Sequence, residues 1–316
     1  MAVEAPQRVT LIGLGTIGIS MAALHLCHAD SIIDLYDTRP DIEEHILARL
    51  PAFLERVCPG VSVALLLSSG RIRIHKTLKE ACASATIVQE QGPENLAFKR
   101  GLWLQVEMYA PSSAHLWSST SGIAASAQNA EMNDKSRLLV VHPFNPPHIM
   151  PLLEVVPSST TAPDRVQFVT EYFAKISPLH RPVVIKKEVP GFVGNRLAFA
   201  VLREACHLVQ NNVVSAKDLD TIMMASLGPR WAVSGVFESY NAGGGEGGFG
   251  AFLGKLESTI QEVWDDLGRQ DIGERDGIQW KENVVPQVAA AYGQPTAEEA
   301  QVTEAKLSRV FKIQSP

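Results

Sequence analysis

Short apolar runs alternate with amphipathic stretches along the first half of the chain. The strand-like runs are Arg8–Ile12, Ile32–Asp37, Ile72–His75, Thr86–Glu90, His115–Ser118, Leu138–His142, Leu152–Val156 and Pro182–Ile185. The segments between them, such as Thr16–Cys27 and Asn95–Tyr109, carry apolar residues at helical spacing. Strands that alternate with helices are typical of parallel strands joined by crossover helices. The pattern therefore predicts an α/β fold with a doubly wound sheet.

The pattern changes near Val189-Pro190-Gly191, after which helical periodicity replaces the strands. A helix is predicted over Phe192–Gln210, and Ser215, with an acidic residue three positions later, predicts the N-cap of a second helix. We expect an α/β domain over residues 1–188 and an all-helical C-terminal domain over residues 189–316. The glycine-rich segment Gly243–Gly248 is expected to connect two helices, either as a solvated loop or as a loop that closes on substrate.

The bulk properties are those of an ordinary enzyme. The chain has 316 residues, of which 46% are hydrophobic and 20% charged, and its formal net charge is −6. An acidic chain does not attract a phosphate backbone, so nucleic acid is not expected as a partner. The four cysteines are far apart and form no metal-binding pattern: Cys27, Cys58, Cys82 and Cys206. No metal site is expected.

Targeting signals are not expected either. No apolar run approaches the roughly 20 residues that a membrane span requires. Glu4 and Arg8 leave no room for the apolar core of a signal peptide, and the final residues Gln314-Ser315-Pro316 do not form a peroxisomal signal. These features predict a cytoplasmic protein that does not contact a membrane.

A glycine-rich turn follows the first predicted strand. Gly13-Leu14-Gly15-Thr16-Ile17-Gly18 fits the GxGxxG pattern and opens the first predicted helix. In that context the first glycine permits a tight turn, the second lets the backbone approach a pyrophosphate, and the third lets helix and strand pack closely. The helix N-terminus offers free N–H groups to the phosphates. The motif predicts a Rossmann-type dinucleotide site.

Asp37 ends the second predicted strand, nineteen residues after Gly18. A carboxylate at this position accepts hydrogen bonds from the ribose hydroxyls of NAD and repels the 2′-phosphate of NADP. Arg39 lies close enough along the chain to weaken that repulsion. We expect NAD as the cofactor.

A histidine and a glutamate mark the candidate catalytic centre. His142 ends a predicted strand, where sheet ligands bind, and Glu154 lies inside the next apolar run. A carboxylate in an apolar strand is costly to bury without a partner, and a neighbouring imidazole would provide one. The pair would fix the tautomer of a general base. The alternative is a histidine with a purely structural role.

Several separated motifs together resemble one enzyme family. They are GLGTIG, LYD, Pro93-Glu94-Asn95-Leu96 with Lys99, Ser119-Thr120-Ser121, HPFNPP, LLEVV and Val189–Arg196. From Arg8 to about Leu267 the chain resembles the 3-hydroxyacyl-CoA dehydrogenase family, and within it the branch of lambda-crystallin and L-gulonate 3-dehydrogenase. The resemblance implies an NAD-dependent oxidoreductase that acts on a secondary alcohol.

The resemblance also implies roles for individual residues. His142 would take the hydroxyl proton, and Glu154 would orient it. Ser121 would bind the reacting oxygen, and Asn195 would position the substrate near the nicotinamide, with both donors steadying the developing carbonyl. The segment Pro93–Leu96 with Lys99 resembles a segment of the family that contacts NAD, which implies that Glu94 and Lys99 do so here. The alternatives are an N-cap for Ser121, a cap at a helix–loop junction for Asn195 and a surface position for Lys99.

The substrate is less closely defined by the sequence. Arg230, in Gly228–Ala232, resembles an arginine of the gulonate and carnitine dehydrogenases, where a guanidinium would hold a substrate carboxylate. Its alternative role is a salt bridge between domains. The segment Asn241–Gly248 is more similar to carnitine dehydrogenases, and Trp231, Phe237 or Tyr240 would supply cation–π contacts to a quaternary ammonium. The stretch Arg269–Lys281 has no match.

The expected function is oxidation of a small L-3-hydroxy acid, as in L-gulonate 3-dehydrogenase. The alternatives are an L-3-hydroxyacyl-CoA dehydrogenase, a carnitine-type dehydrogenase and a biosynthetic reductase of a ketone or imine. A lambda-crystallin-like structural protein is a more distant alternative, because the Ser121, His142, Glu154 and Asn195 set is intact. The apolar helices of the second domain and the resemblance both favour a homodimer.

Overall fold

The computed structural model describes residues 7–27, 30–177, 179–270, 272 and 278–314. It divides into two compact units, the first extending to Asn195 and the second beginning at Arg196. All strands of the described residues lie in the first unit: β1 (Arg8–Ile12), β2 (Ile32–Tyr36), β3 (Ile72–Ile74), β4 (Ile87–Glu90), β5 (His115–Ser118), β6 (Leu138–Pro143), β7 (Leu152–Pro157) and β8 (Arg181–Val184). The predicted strands are confirmed, with ends that differ by one residue in several cases.

The strands form one sheet in the order β3-β2-β1-β4-β5-β6-β7-β8. The first six are parallel, so their carboxyl ends lie at the same edge. The expectation of parallel strands fails at β7, which pairs antiparallel to β6, while β8 is parallel to β7. The eight residues between Pro143 and Leu152 return the chain to the adjacent strand without a crossover helix, and antiparallel pairing permits such a short connection.

Helices connect the parallel strands and cover the sheet. They are α1 (Thr16–Leu26), α2 (Ile42–Val57), α3 (Val63–Ser68), α4 (Leu78–Cys82), α5 (Leu96–Tyr109), α6 (Ala125–Gln128) and α7 (Pro163–Ile176). The two larger apolar cores lie against the sheet: Val9 and Leu11 belong to one, and Ile12 belongs to the other. Side chains alternate between the faces of a strand, so a strand that is apolar throughout fills both cores. The predicted α/β class with a doubly wound sheet is confirmed.

The described residues of the second unit form helices and the connections between them, with no strand. Its helices are α8 (Gly194–Gln210, which begins two residues before the unit), α9 (Ala216–Ala225), α10 (Leu227–Val233), α11 (Val236–Gly243), α12 (Gly248–Asp266), α13 (Ile278–Tyr292) and α14 (Ala297–Gln314). The Ser215 hydroxyl accepts from the Asp218 N–H at 3.1 Å, as the predicted N-cap requires. In the described part of the chain, none of the helices combines the length and apolarity that crossing a bilayer would need.

Two local expectations were wrong in this region. The helix predicted from Phe192 begins at Gly194, because Gly191 and Phe192 both have positive φ, which a right-handed helix excludes. The predicted loop Gly243–Gly248 is largely helical: α11 includes Gly243, a short 3₁₀ turn follows over Gly245–Gly247, and α12 begins at Gly248. The Asn241 side-chain oxygen accepts from the Phe249 N–H at 2.9 Å and ties the two helices together.

Candidate active site

The glycine turn joins β1 to α1, and each of its three glycines meets a different environment. Gly13 has φ of +89°, which other residues rarely adopt. A Cβ on Gly18 would lie 2.0 Å from the Gly13 carbonyl oxygen, whereas a Cβ on Gly15 would meet no atom within 4 Å. Gly15 also caps α1 without a side-chain hydrogen bond, so the N–H groups of the first helical turn are available. These features fit a bound pyrophosphate.

A cavity of about 470 Å³ extends from this turn along the carboxyl edge of the sheet. Its lining comprises Ile12, Gly13, Leu14, Gly15, Tyr36, Asp37, Thr38, Leu78, Gln91, Gly92, Pro93, Phe98, Leu102 and Gln105. Asp37 accepts from the Leu14 N–H at 2.6 Å, which holds the carboxylate at the cavity wall. The Arg39 guanidinium pairs with Asp41 at 2.8 Å, so a 2′-phosphate would have to compete with that carboxylate for it. The cavity fits the adenosine half of NAD.

His142 and Glu154 are directly opposite each other in the antiparallel β6–β7 pair. The imidazole Nδ1 lies 2.8 Å from Glu154 Oε2, and both side chains are buried. No hydrogen-bond partner of Nε2 is found among the described residues. Burial favours a higher pKa for Glu154, but hydrogen bonds from His142 and from the Gly194 and Val193 N–H groups outweigh it, so its pKa is lowered. The carboxylate stays ionised and orients Nε2 as the free base.

A strained turn supplies the other partners of Glu154. Its Oε1 accepts from the Val193 and Gly194 N–H groups, each at 2.9 Å. Both donors follow Phe192, a buried residue with φ of +52°, which is a costly conformation for a bulky side chain. The Phe192 ring packs at 5.6 Å from the His142 ring. The turn therefore binds the carboxylate and also shapes the pocket around the imidazole.

Glycine is required at position 194 for a separate reason. A Cβ there would lie 2.3 Å from Cζ of Phe144. The Phe144 ring packs against His142, with 5.2 Å between ring centroids. The close approach of the Gly194 backbone thus leaves Phe144 in place beside the imidazole.

The Ser121 turn follows β5 and is organised by Glu94. Glu94 Oε1 accepts from the Thr120 hydroxyl and from the Ser121 and Gly122 N–H groups, the last two at 3.1 and 3.0 Å. The Ser121 side chain is exposed, and the N-cap of α6 is Ala124, so the N-cap alternative for Ser121 is wrong. The Thr120 hydroxyl accepts from the Ile123 N–H at 3.0 Å instead. The Ser121 hydroxyl is left available for a ligand.

Lys99 is fully buried, so its assignment to the surface is wrong. Its ammonium lies 2.7 and 2.9 Å from the two carboxylate oxygens of Glu90 and 3.8 Å from Glu94. Glu90 also accepts from the Ser118 hydroxyl at 2.9 Å and the Gly92 N–H at 2.6 Å. A buried ammonium is tolerated because it is paired. Lys99 links the carboxylate at the end of β4 to the one that holds the Ser121 turn.

Asn195 lies in the first turn of α8, and its side-chain amide donates to the Ser121 carbonyl at 3.0 Å. The two predicted substrate-binding residues are therefore in contact. The structure also brings His142, Glu154, Glu94 and the glycine turn into the same unit.

Arg230 lies in the second unit, on α10, with its side chain exposed. The aromatic residues considered for a quaternary ammonium lie nearby along the chain, and Phe237 and Tyr240 pack against Phe249 and Phe252 across α11 and α12. Phe249 and Phe252 stack on each other, so these four rings form one cluster, and no ring contact of Trp231 with it is found among the described residues.

Glu90 and Gln89 were missed by reasoning from the sequence. Both lie at the end of an apolar strand and are fully buried. The same signal that singled out Glu154, a polar residue inside a buried strand, would have identified them.

The match to known families covers most of the chain. Residues 8–189 match the NAD-binding domain of 3-hydroxyacyl-CoA dehydrogenase, and residues 191–267 match the C-terminal domain of the same enzyme. The NAD expectation is confirmed at the level of the domain.

Relatives of the chain are identical to it at about one third of the aligned positions. It is 35% identical over 257 residues to an L-carnitine dehydrogenase/betainyl-CoA thioesterase of Rhizobium meliloti, covering 81% of this chain and 51% of that protein. It is 35% identical over 266 residues to an L-carnitine dehydrogenase of Streptomyces griseus, covering 84% and 78%. The chain thus spans about half the length of the first relative and most of the second.

A solved structure resembles nearly the whole chain. It is 5-formyl-3-hydroxy-2-methylpyridine 4-carboxylic acid 5-dehydrogenase, described as an NAD⁺-dependent dismutase. The two are 28% identical with a TM-score of 0.77, and the match covers 98% of this chain and 97% of that one.

Proposed function

The chain belongs to the 3-hydroxyacyl-CoA dehydrogenase family, and from this premise we propose that it is an NAD-dependent dehydrogenase of a small free L-3-hydroxy acid. The observation that carries the proposal is the buried His142–Glu154 pair with a free Nε2 at the carboxyl edge of the sheet. The glycine turn lies at the same edge, because β1 and β6 run parallel within one sheet. A base and a dinucleotide site at one edge are what alcohol oxidation requires.

The residues have distinct tasks in this mechanism. NAD supplies the hydride acceptor. His142 Nε2 accepts the hydroxyl proton, and Glu154 stabilises the imidazolium that results while it keeps the proton of the neutral ring on Nδ1. Ser121, held by Glu94, donates to the reacting oxygen, and Asn195 positions the substrate beside Ser121. Glu94 and Lys99 are the proposed NAD contacts beside that turn, and the buried Lys99 acts through its ion pair with Glu94, 3.8 Å away.

The names of the relatives favour a free acid over a CoA ester. Both relatives named above carry an L-carnitine dehydrogenase activity, and L-carnitine is a free 3-hydroxy acid with a quaternary ammonium. We propose that Arg230 holds the substrate carboxylate, because a guanidinium binds a carboxylate through two parallel hydrogen bonds. L-Gulonate, also a 3-hydroxy acid, stays within the proposal. Among free 3-hydroxy acids, the names of the relatives favour a carnitine-type substrate.

A second candidate function is supported by the family model itself, which is named for 3-hydroxyacyl-CoA. A CoA thioester has no free carboxylate at the reacting acyl group, so Arg230 would not hold its acyl part as it would hold a free acid. Replacement of Arg230 therefore separates the two candidates.

The proposal is tested by NADH formation with four substrates offered to the purified protein: L-carnitine, L-gulonate, L-3-hydroxybutyrate and L-3-hydroxybutyryl-CoA. His142→Gln is the control for catalysis by this site, and NADH binding, measured by fluorescence, is the control for its folding. We expect turnover of at least one free acid, its loss in His142→Gln, and a KM at least tenfold higher in Arg230→Met with a smaller change in kcat.

Each other outcome points to one alternative. Turnover of the CoA ester alone, unaffected by Arg230→Met, identifies an L-3-hydroxyacyl-CoA dehydrogenase. If none of the four substrates is turned over and NADH still binds, the result points to a specialised reductase of a ketone or imine. Absence of NADH binding points to a structural protein.

We also propose that the second unit forms a symmetric homodimer. Apolar side chains are exposed along α8, among them Leu197 at 61% and Leu202 at 51% exposure. Such a surface is typical of a protein interface. Sedimentation at micromolar concentration measures the oligomeric state. We expect the wild-type protein to be a dimer, and Leu202→Glu should shift the equilibrium toward the monomer. A monomeric wild-type protein would contradict the proposal.

A further inference from the structure

A chain of hydrogen bonds crosses the core of the first unit and ends beside the Ser121 turn. The Tyr172 hydroxyl lies 2.7 Å from Nδ1 of His25, and Nε2 of His25 lies 2.8 Å from Oε1 of Gln89. The Gln89 side-chain N–H then donates to the Ser119 hydroxyl oxygen at 2.9 Å. The three inner residues, Tyr172, His25 and Gln89, are buried, and His25 and Gln89 are fully so.

The amide of Gln89 gives this chain a direction. Its oxygen faces His25 and its NH₂ faces Ser119, so His25 donates from Nε2 and accepts from the Tyr172 hydroxyl at Nδ1. Every hydrogen along the chain therefore points toward Ser119. Burial lowers the pKa of His25 to about 4, so the ring is neutral at physiological pH and keeps one donor and one acceptor.

The Ser119 hydroxyl oxygen accepts from Gln89, and the Ser119 hydroxyl proton is not donated to any member of this hydrogen-bond chain. In the described part of the molecule no acceptor for that proton is found, and Ser119 is only half-buried. Burying three polar side chains in an apolar core is costly unless each hydrogen bond is made. The arrangement leaves a preorganised donor at the carboxyl end of β5.

The sheet order places that donor on the path of the cofactor. The glycine turn follows β1 and His142 ends β6, with β4 and β5 between them. Three strand spacings separate the two points, roughly 14 Å. A dinucleotide with its pyrophosphate on the glycine turn and its nicotinamide beside His142 has to cross the ends of β4 and β5, where Ser119 follows β5 directly.

We infer that Ser119 donates a hydrogen bond to the nicotinamide half of NAD, and that Tyr172, His25 and Gln89 are positioning residues that keep its proton pointing outward. The inference rests on NAD binding by the first unit and does not depend on the identity of the hydroxy acid. It adds a cofactor-binding residue to the site and gives the buried histidine a task.

The inference is tested by binding alone, with no substrate present. Affinities for NADH, ADP-ribose and ADP are measured by calorimetry for the wild type and for Ser119→Ala, with Ser113→Ala as the matched control, since Ser113 is exposed and makes no side-chain hydrogen bond among those found. Ser119→Ala should lower the affinity for NADH about tenfold and leave the affinity for ADP unchanged. ADP-ribose, which retains the second ribose, locates the contact: a loss there assigns it to the ribose, and no loss assigns it to the nicotinamide ring.

The positioning role is tested by Gln89→Glu, which preserves the shape but removes the N–H donor. The introduced carboxylate accepts at both ends, so the Ser119 proton would turn inward and NADH affinity should fall as in Ser119→Ala. In the Ser119→Ala protein the same change should have no further effect, because the two act through one hydrogen bond. If Gln89→Glu does not fold, Tyr172→Phe takes its place. We expect Tyr172→Phe to lower the affinity for NADH about twofold or more in the wild-type background. In the Ser119→Ala protein it should not change that affinity.

Three results would overturn the inference. An unchanged NADH affinity in Ser119→Ala removes the contact, and an equal loss for NADH and ADP places the effect outside the nicotinamide half. Independent, additive losses from the Ser119 and Gln89 changes remove the positioning role. Activity measurements enter none of these outcomes, so a wrong substrate assignment cannot mimic them.

Discussion

Glu154 contacts His142 through one carboxylate oxygen and the Val193 and Gly194 N–H groups through the other. Cross-strand register sets the first contact, and the strained turn at Phe192 sets the second. The carboxylate thus couples the orientation of the base to the entry into α8. A group with three donors around it has little freedom to reorient.

Replacement of Glu154 by glutamine should cost kcat about 10³- to 10⁴-fold. The amide oxygen would face the two backbone donors, so its NH₂ would face Nδ1 of His142. The imidazole would then have to accept at Nδ1 and carry its proton on Nε2, which is the wrong tautomer for a base. Steady-state and single-turnover kinetics measure the effect, with NADH affinity as the control. Near-normal turnover would mean that the tautomer of His142 is not set by Glu154.

Alanine at Gly15 and at Gly18 should produce opposite phenotypes. A Cβ at Gly15 projects into open space, so the protein should fold normally but bind NADH at least about tenfold more weakly, because the methyl group displaces the pyrophosphate. A Cβ at Gly18 would clash with the Gly13 backbone and should destabilise the fold by about 1–3 kcal/mol or more. Thermal unfolding and NADH titration of the two variants check this. Normal NADH binding by Gly15→Ala would contradict the assignment of the turn.

Gly194→Ala should lower kcat about 10- to 100-fold without loss of NADH binding. The added Cβ would force Phe144 away from its place against the His142 ring. Phe144→Leu in the same protein provides room for the methyl group and should restore part of the activity. A double-mutant cycle on kcat measures this coupling, and strictly additive effects would show that Phe144 does not transmit the change.

Asp37→Asn should reduce NAD affinity about tenfold or more while NADP affinity falls less or rises. Asparagine can still accept from the Leu14 N–H, so the turn keeps its hydrogen bond while the charge that repels a 2′-phosphate is lost. Adding Asp41→Ala releases Arg39 from its ion pair and should raise NADP affinity further. Titrations with NADH and NADPH give the ratio. An unchanged ratio would reject the ribose assignment of Asp37.

The fold should lose stability in mild acid because several histidines are buried or half-buried and neutral. Burial lowers the pKa of His25, His115 and His148 from 6.5 to about 4 and lowers the pKa of His180 as well. Between pH 6.5 and 4 the unfolded chain binds protons that the folded chain does not. The free energy of unfolding is therefore highest above pH 6.5 and falls as the pH decreases to about 4.

The variant that tests this is His148→Asn. Asparagine can form a hydrogen bond with the Ser20 hydroxyl in place of Nδ1 of His148, but it does not titrate. The loss of stability between pH 6.5 and 4 should shrink by at most about 3 kcal/mol. Urea unfolding at a series of pH values measures it, and a slope equal to that of the wild type would exclude His148 as a contributor.

Local patterns in the sequence predicted most of the fold and the main site residues. The GxGxxG turn, the acid at Asp37 and the cap at Ser215 are set by short-range steric and hydrogen-bonding requirements. Those requirements act over a few residues and can be seen in one chain. The apolar strands and helical spacing likewise predicted the α/β class and the helical second half, because burial imposes a period on each element.

Only the tertiary structure decided the direction of β7, the burial of Lys99 and the left-handed conformation of Phe192. Each depends on partners distant in sequence or on several weak preferences acting together. Lys99 is buried because Glu90 is placed beside it by the fold, and the chain from Tyr172 to Ser119 joins residues 30 to 147 positions apart. Pairing between distant residues leaves no periodic trace in a sequence, so it became visible only once the sheet had brought them together.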